Sequence, residues 1–296
     1  MFSIIIPTLN NLKYLKFCIE SIKKNSKFKH EIIPHVNIGS DGTLEYLKKN
    51  NIKFTYSSEN FGICKGMNLA AKKSKFDYIL YSHDDFYFSP DWDEILYNEV
   101  KKIGHNLFYL SGTMVNNGHI NFNCGDTIEN FNEKKFLTYY KDHNFYDFQG
   151  STWAPHLIQK DLWNKIGGFS EEFFPGTGSD PDLNMKLWKS GVRIFKGVNN
   201  CKVYHFGSIV TRKYKNNKNI ITESGSKGGK IFILKWGFSI KFFKKYFMNS
   251  DTKYIGPLNE PKRDFMFMVN FFLNKLNYLY LKYIYRLNNK IKFTNK

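Results

Sequence analysis

The stretch Phe76-Asp77-Tyr78-Ile79-Leu80-Tyr81-Ser82-His83-Asp84-Asp85 joins an apolar run to a pair of carboxylates. The run from Phe76 to Tyr81 is typical of a strand buried on both faces of a mainly parallel sheet. Open α/β sheets bind ligands at the carboxyl ends of their strands, where Asp84 and Asp85 are expected. Adjacent carboxylates repel each other unless a cation neutralises them, and their oxygens suit Mg²⁺ or Mn²⁺ shared with substrate phosphates. The alternative is a solvated turn that caps the helix after Pro90.

Strands and helices alternate before this stretch. Strands are expected at Phe2–Thr8, Glu31–Asn37 and Ile52–Ser57, and helical spacing follows the first strand at Leu12, Leu15, Cys18, Ile19 and Ile22. Pro34 lies inside the second strand, where it indicates a bulge or a sheet edge. The alternation predicts an α/β fold with a mainly parallel, doubly wound sheet and helices on both faces.

The pattern is less regular after the carboxylate pair. A helix is expected from about Pro90 to Ile103, followed by a strand near Leu107–Met114. Residues 115–148 show no clear period and are predicted to form an irregular insertion beside the site. A regular pattern returns with Ser151–Leu157 and with a helix through Trp163 and Ile166. Pro181 is well placed in the first turn of a further helix.

The net charge of +18 is unevenly distributed along the 296 residues. Residues 1–207 carry 25 lysines and arginines against 22 aspartates and glutamates, whereas residues 208–296 carry 19 against 4. A nearly neutral body with a basic tail favours a surface-docking element over a nucleic-acid-binding enzyme body.

The cysteines and the apolar segments indicate a cytoplasmic protein. Cys18, Cys64, Cys124 and Cys201 form no CxxC pair, which disfavours a zinc site or a disulfide framework and fits a reducing compartment. Met1 runs directly into a short apolar strand, which is not a signal-peptide pattern. No segment approaches the roughly 20 apolar residues of a spanning helix.

Several short motifs occur in a characteristic order, while two common nucleotide motifs are absent. No GxGxxG follows the first strand and no GxxxxGK[ST] occurs, which disfavours a dehydrogenase or a P-loop kinase. The motifs present are Ile4-Ile5-Ile6-Pro7-Thr8-Leu9-Asn10, Gly39-Ser40-Asp41-Gly42-Thr43, Asn60-Phe61-Gly62 with Asn68, Asp84-Asp85, Gly167-Gly168-Phe169, Ser179-Asp180-Pro181-Asp182-Leu183 and Tyr204-His205. In this order they resemble the family 2 inverting glycosyltransferases of the GT-A fold, over residues 2 to about 210.

The resemblance implies transfer of a sugar from a nucleotide-sugar to a hydroxyl acceptor with inversion at the anomeric carbon. Asp85, aided by Asp84, would hold a divalent metal, and His205 matches a position that completes the metal site in many relatives. An imidazole ligand tilts the preference towards Mn²⁺ over Mg²⁺. Asp180 would be the general base, with a pKa raised by partial desolvation. The alternatives are a helix-cap role for Asp180 and a packed or surface role for His205.

The expected nucleotide site follows from the same resemblance, apart from Lys65, which is inferred from its charge. Its residues are Pro7, Thr8, Asn10, Asn37, Ser40, Asp41, Asn60, Gly62, Lys65, Asn68, His83 and Asp84. Asn37 stands where relatives commonly carry an acidic residue that binds the base, and an amide is compatible with uracil, thymine or guanine. A UDP-sugar is the favoured donor. On the acceptor or lid side we expect Trp153, Ser179, Asp182 and Arg212.

These assignments divide the chain into a catalytic domain of residues 1–210 and an extension of residues 211–296. The nucleotide-binding half is expected at about 1–114 and the acceptor-side half at about 115–210. The extension is predicted to be a lid followed by mostly helical, basic and aromatic segments between residues 231 and 296. Such helices either lie in an anionic membrane interface or pack as a cap on the catalytic domain. A lipid-linked or glycan acceptor in polysaccharide or glycoconjugate synthesis would suit peripheral docking on the inner face of the cell membrane.

Two other functions compete with this interpretation. A sugar-phosphate nucleotidyltransferase would share the sheet and the metal carboxylates, but it needs a Gly-rich, Arg-containing loop after the first strand, and Pro7–Leu12 offers none. A basic nucleic-acid-binding protein is supported only by the Lys-rich aromatic tail. The charge distribution argues against it, so no nucleic-acid partner is expected.

Overall fold

The computed structural model describes residues 1–142, 146–207, 209 and 225–287, and within them nine strands form one sheet. The strands are β1 (Ser3–Leu9), β2 (Glu31–Asn37), β3 (Thr55–Ser57), β4 (Tyr78–Tyr81), β5 (Phe86–Phe88), β6 (Phe108–Val115), β7 (Phe148–Gln149), β8 (His156–Gln159) and β9 (Ile194–His205). The helices are α1 (Leu12–Asn25), α2 (Thr43–Lys49), α3 (Gly62–Ala71), α4 (Trp92–Ile103), α5 (Glu133–Asp142), α6 (Lys160–Ile166), α7 (Ser179–Lys189), α8 (Gly225–Trp236), α9 (Ile240–Tyr246) and α10 (Phe265–Leu287).

The α/β fold is confirmed, and the sheet is mixed. Its order is β3-β2-β1-β4-β8-β6-β9-β5, with β7 also paired to β9. β1 to β4 pair in parallel, as do β6 and β9, whereas β8 runs antiparallel to both its neighbours and β5 runs antiparallel to β9. Parallel neighbours need a crossover of a dozen or more residues. The four-residue link between β4 and β5 is too short for one, so the parallel order ends there.

The expected core face of α1 is confirmed. Leu15, Cys18, Ile19 and Ile22 are buried, while α3 packs against β1 and β2 and α4 against β9. Pro34 lies in register with Ile6 of β1, but β3 covers only the last three residues of β2. β2 is therefore an edge strand at Pro34, as expected.

The insertion after β6 is more ordered than its sequence predicts. It contains a 3₁₀ turn at Ile128–Asn130 and the helix α5. Phe136 and Tyr139 of this helix are buried in an aromatic cluster with Tyr87 and Tyr204. The expectation of an irregular segment was wrong because one helix with two buried aromatics is too short to establish a helical period, although its packing on β5 and β9 stabilises it.

The C-terminal extension consists of a buried part and an exposed part. Ile231, Phe232 and Phe243 of α8 and α9 belong to the main hydrophobic core, so these helices pack as a cap on the catalytic domain. Among the described helices and strands, α10 packs extensively only against α8 and α9. Most of its large apolar side chains are exposed. Among the described residues, no helix is both long enough and apolar enough to cross a membrane.

Candidate active site

The pairing of β5 with β9 brings two distant parts of the chain together. The turn 82–85 leaves the carboxyl end of β4 and leads directly into β5. Phe86 lies opposite His205 in the antiparallel ladder, and the Phe206 N–H donates to the Asp85 carbonyl at 3.2 Å. Sheet register therefore sets the side chain of His205 beside that of Asp85.

Three potential metal ligands meet at this point. One ligand atom each from His83, Asp85 and His205 lies within 4.8 Å of the others, and His205 Nε2 is 3.5 Å from Asp85 Oδ2. His83, which was expected among the nucleotide-binding residues, belongs to this cluster, and its contact with a nucleotide stays a prediction. Burial alone would raise the pKa of Asp85, but the hydrogen bond and charge of His205, followed by the charge of His83, lower it below its usual value. The donor set fits a divalent transition-metal ion.

Asp84 lies outside this cluster. It is 7% exposed, and its carboxyl faces Thr8 and Asn11 at the end of β1. Burial first, and then the charge of Asp85, raise the pKa of Asp84 to about 8, while Thr8 and Asn11 counteract part of the shift. One oxygen of Asp84, the Thr8 hydroxyl and the Asn11 amide nitrogen are buried close to one another, and none of them completes a hydrogen bond of normal geometry to a described residue. Such a group of unpaired atoms indicates a place for water or a polar ligand.

Three of the residues expected to bind the nucleotide form hydrogen bonds within the protein. Asn37 Oδ1 accepts the Phe61 N–H at 2.7 Å, and Asp41 accepts the Leu12 N–H at 2.7 Å at the start of α1. Asn68 bonds both the N–H and the carbonyl of Phe169, at 2.9 and 2.8 Å. These contacts hold the loops around the strand ends, and a direct contact with nucleotide stays a prediction.

The other expected nucleotide residues surround the same strand ends. Asn10 Oδ1 accepts the Ser40 N–H at 2.9 Å, and Asn60 Oδ1 accepts the Gly62 N–H at 2.9 Å where α3 begins. The Lys65 ammonium lies 3.6 Å from the centre of the Phe61 ring, a cation–π contact. Pro7 and Thr8 lie near the carboxyl end of β1, where Thr8 faces Asp84.

Asp180 lies in the first turn of α7, which begins after Gly178 in the left-handed conformation. Its Oδ1 is buried without a partner in the described part of the chain, and burial raises the pKa of Asp180 to about 7. Burial, and then the charge of Asp180, raise the pKa of Tyr81 and of Tyr109 well above their usual value. The charge of Asp85 acts on Tyr81 as well. Tyr81, at the end of β4, is thus close to both candidate functional carboxylates.

Further buried polar groups lie behind Asp180. Asn184, one helical turn later on the same face of α7, is fully buried. Its amide faces the Tyr109 hydroxyl, but neither amide atom completes a hydrogen bond of normal geometry to a described residue. His156 Nδ1 is 3.0 Å from the Tyr109 hydroxyl, while its Nε2 has no described partner. Burial lowers the pKa of His156 to about 3, so this ring is neutral near pH 7. Buried polar atoms of this kind are normally satisfied by internal water.

Asp182 differs from Asp180 in having many partners. It accepts hydrogen bonds from Ser170 at 2.5 Å and from Trp236 Nε1 at 2.8 Å, and it lies 3.0 Å from the Lys235 ammonium. These contacts tie α7 to α8. The Ser179 hydroxyl donates to the Gly176 carbonyl at 2.6 Å and closes the turn before the helix.

The expected acceptor side is described in part. Trp153 is 36% exposed, with the centre of its ring 5.9 Å from that of His119 and 5.9 Å from the Lys244 ammonium. This exposed ring follows β7 and precedes β8, whose first residue lies opposite Tyr81. Arg212, and the lid proposed around it, lie outside the described residues.

Sequence reasoning missed several polar residues of the site, namely Asn11, Tyr109, His156 and Asn184. A signal existed for Asn184, because it follows Asp180 by four residues in a predicted helix and so shares its face. No local pattern could have placed Tyr109 or His156 there, since both arrive through the order of strands in the sheet.

The comparisons with known proteins assign this α/β sheet and its site to a class. The sequence profile described as "Glycosyl transferase family 2" matches residues 3–161, which is more than half of the chain, and the chain belongs to this family. This decides against the nucleotidyltransferase and the nucleic-acid-binding protein. No curated protein matches the sequence significantly.

Solved structures support the same fold. TarS 1–349 of S. aureus has a TM-score of 0.52 at 19% identity, covering 78% of this chain and 68% of its own. The complex of TarS 1–349 with UDP-GlcNAc has a TM-score of 0.52 at 16% identity, covering 95% and 81%. GalNAc-T7 with UDP, GalNAc and Mn²⁺ has a TM-score of 0.53 at 15% identity, covering 69% and 43%. At these identities the similarity defines the fold alone.

Proposed function

We propose that the protein is a metal-dependent inverting glycosyltransferase that moves a sugar from a UDP-sugar to a hydroxyl group of a glycan or lipid-linked acceptor, in surface polysaccharide or glycoconjugate synthesis. The observation that carries the proposal is the cluster of Asp85 with two imidazoles at the end of the sheet. The Asp180 carboxyl, with its raised pKa, acts electrostatically on Tyr81, as Asp85 does. The structures of TarS with UDP-GlcNAc and of GalNAc-T7 with UDP and Mn²⁺ favour UDP as the nucleotide.

Asp85 and His205 would hold the divalent ion, and their carboxylate and imidazole donors suit Mn²⁺ better than Mg²⁺. Such an ion supplies positive charge that stabilises a departing nucleoside diphosphate. Asp84, with Thr8 and Asn11, would form the neighbouring polar wall that receives the nucleotide. The unpaired atoms of these three side chains are available for hydrogen bonds to the ligand.

Asp180 would take the proton from the acceptor hydroxyl as that oxygen attacks the anomeric carbon. The new bond joins the acceptor oxygen to the anomeric carbon, and the bond from that carbon to the diphosphate oxygen breaks, so the electron pair leaves with the nucleoside diphosphate. A single displacement from the opposite face inverts the configuration. A carboxylate whose pKa lies near 7 is a stronger base than an ordinary aspartate and is still partly ionised at neutral pH.

The proposal is tested with a panel of UDP-, GDP- and dTDP-sugars, each incubated with Mn²⁺ and with excess EDTA. We expect cation-dependent release of UDP from at least one UDP-sugar, and an inverted anomeric configuration in the NMR spectrum of the glycoside formed. Retention of configuration would contradict the role of Asp180. Release of UDP at an equal rate in EDTA would contradict the metal assignment.

A second proposal concerns location, because α10 exposes an unusually apolar surface. Phe265, Phe272 and Tyr283 are 79%, 62% and 64% exposed, and Leu276 between them is 48% exposed. These four side chains lie on the side of the helix opposite Phe267 and Leu281, which are buried against the cap. A continuous exposed apolar face on a 23-residue helix marks an interaction surface.

The charges around this face favour an anionic lipid surface as the partner. Lys275, Lys282 and Arg286 lie along one edge of α10, which contains no acidic residue. Residues 225–287 carry 12 lysines and arginines against 3 aspartates and glutamates. Two copies joined through this face would bring together surfaces of the same sign, whereas anionic headgroups would neutralise it. We infer peripheral binding to the inner face of the cell membrane.

Flotation of the full chain with vesicles of phosphatidylcholine and phosphatidylglycerol tests this inference. We expect binding that weakens at high salt and is lost in a Phe272→Ser, Leu276→Ser double variant. The matched control is Asn277→Ser, which changes an exposed polar side chain of the same helix. Equal flotation of the double variant and the native chain would overturn the membrane proposal. So would a concentration-dependent dimer of the native chain, formed without lipid, that the double substitution dissociates.

A further inference from the structure

The cluster of His83, Asp85 and His205 contains two imidazoles and one carboxylate. The sequence suggests a carboxylate pair as the core of a metal site, but Asp84 faces the end of β1 while His83 faces His205. The two rings are arranged edge to face, with centres 5.7 Å apart. The site is therefore richer in nitrogen than the Asp84-Asp85 motif indicates.

Packing fixes the orientation of both rings. His83 stacks on Phe86, with ring centres 4.7 Å apart, and Phe86 also meets the His205 ring edge to face at 5.2 Å. His205 Nδ1 lies 3.4 Å from the backbone carbonyl of Asn117. A proton on Nδ1 pointing at this carbonyl leaves the lone pair of Nε2 directed towards Asp85, which is how metal-binding histidines are commonly oriented.

We propose that His83 is the third protein ligand of the cation and that the site selects transition-metal ions, of which Co²⁺, Zn²⁺ and Mn²⁺ are representative, against Mg²⁺ and Ca²⁺. This rests on the proposed function, whose cation it specifies. Mg²⁺ and Ca²⁺ require oxygen ligands, and two of the three donors here are nitrogens. Asp85 alone supplies protein oxygen to the cluster.

The selectivity follows from the ligand type, so replacing a ligand should change it in a defined direction. His83→Asp converts the set to two carboxylates and one imidazole, which suits Mn²⁺ and Mg²⁺ better. His83→Ala leaves one imidazole and one carboxylate and should weaken the binding of every ion. His105→Ala is the matched control, because His105 is an exposed histidine that does not belong to the cluster.

The test is titration calorimetry of the full chain with CoCl₂, ZnCl₂, MnCl₂ and MgCl₂, without nucleotide, supported by the visible absorption spectrum of the Co²⁺ complex. We expect Co²⁺ and Zn²⁺ to bind at least about tenfold more tightly than Mg²⁺, and His83→Ala to lose about tenfold or more in Co²⁺ affinity. His83→Asp should narrow the gap between Co²⁺ and Mg²⁺ and change the Co²⁺ spectrum. Circular dichroism of each variant establishes that it is folded.

Equal affinities for Co²⁺ and Mg²⁺ in the native protein would overturn the proposal. So would an unchanged Co²⁺ affinity and spectrum in both folded His83 variants. Because these measurements need neither donor nor turnover, their failure is separate from failure of the glycosyltransferase assignment. Turnover with Mg²⁺ equal to that with Mn²⁺ would leave the enzyme proposal standing while removing the selectivity.

Discussion

The surroundings of Asp85 and of Asp180 show how one fold gives two buried carboxylates opposite properties. Asp85 is 5% exposed and one oxygen of Asp180 is buried, and this desolvation by itself raises the pKa of each. Two imidazoles face Asp85 and lower its pKa below the usual value, whereas burial is the sole resolved influence on Asp180 and raises its pKa to about 7. The partners, rather than the depth of burial, therefore decide which carboxylate stays charged and which one exchanges a proton.

The largest effect expected from this contrast is on the chemical step. Asp180→Asn keeps the shape of the side chain but cannot accept the acceptor proton, so kcat should fall by about 10² to 10⁴. UDP affinity should be nearly unchanged, because the cation cluster and the polar wall at Thr8 remain. Steady-state kinetics and calorimetry with UDP measure the two quantities.

Asp182→Asn is the control for this substitution, two residues away on the same helix. It weakens the contacts with Ser170, Trp236 and Lys235 and should lower the melting temperature, while kcat stays within about tenfold of the native value. If Asp180→Asn lost both UDP binding and turnover, Asp180 would have a structural role. The contrast between a proton-exchanging Asp180 and a cation-binding Asp85 would then be removed.

The second effect is on cation-dependent UDP binding and involves Asp85. Asp85→Asn removes the charge that holds the cation, so the Mn²⁺-dependent part of UDP affinity should fall by about 10- to 100-fold. Affinity measured in EDTA should not change, because it does not involve the cation. Calorimetry with and without Mn²⁺ separates the two, and an equal Mn²⁺ enhancement in Asp85→Asn would show that the ion lies elsewhere.

A third effect concerns stability and depends on pH. The pKa of Asp180 is about 7 in the folded protein, against an ordinary value of 3.8, so its contribution to stability is lost as the pH rises from about 4 to about 7. Asp180→Asn removes this loss. Its free energy of unfolding relative to the native chain should therefore increase by up to about 4 kcal/mol between pH 4 and pH 8.

Urea unfolding at a series of pH values checks this sign. Asp126→Asn, at an exposed carboxylate, should show no such trend. A difference between Asp180→Asn and the native chain that is independent of pH would mean that Asp180 has an ordinary pKa and is not a desolvated base.

Sequence patterns predicted the first half of the sheet well, because local signals determine it. Strands β1, β2 and β4 are apolar runs followed by turn residues, and α1 follows with a regular apolar face. The mixed pairing of β5, β8 and β9 was not predictable, since it depends on which distant strands meet. The membership of His83 in the cation cluster depends on the same register, between Phe86 and His205.

The positions of the site carboxylates were only partly predictable, because they too depend on contacts between distant segments. Asp84 and Asp85 are adjacent in sequence, and only the structure separates them, one towards β1 and the other towards β9. The raised pKa of Asp180 was expected from its proposed role. Its cause, a buried pocket formed with Tyr109 and Cys64, is assembled from three separate segments.

The smallest predicted effect concerns Asn184 in the pocket behind Asp180. Cys64 of α3, Tyr81 of β4 and Tyr109 of β6 also face the base, and none of them carries a positive charge. Asn184 is buried one turn from the base, and its amide is directed at the Tyr109 hydroxyl without completing a hydrogen bond of normal geometry. It can donate to the Asp180 carboxylate through an internal water and so stabilise its charged form.

Asn184→Leu has a similar volume without a donor, so the pKa of Asp180 should rise further. The acid limb of the kcat–pH profile should move upward by up to about one pH unit, while kcat above that limb stays unchanged. Asn184→Ser retains a hydroxyl donor and should leave the limb near its native position. If the leucine and serine variants share one profile, the amide has no electrostatic effect on the base, and burial alone accounts for the difference between Asp180 and Asp85.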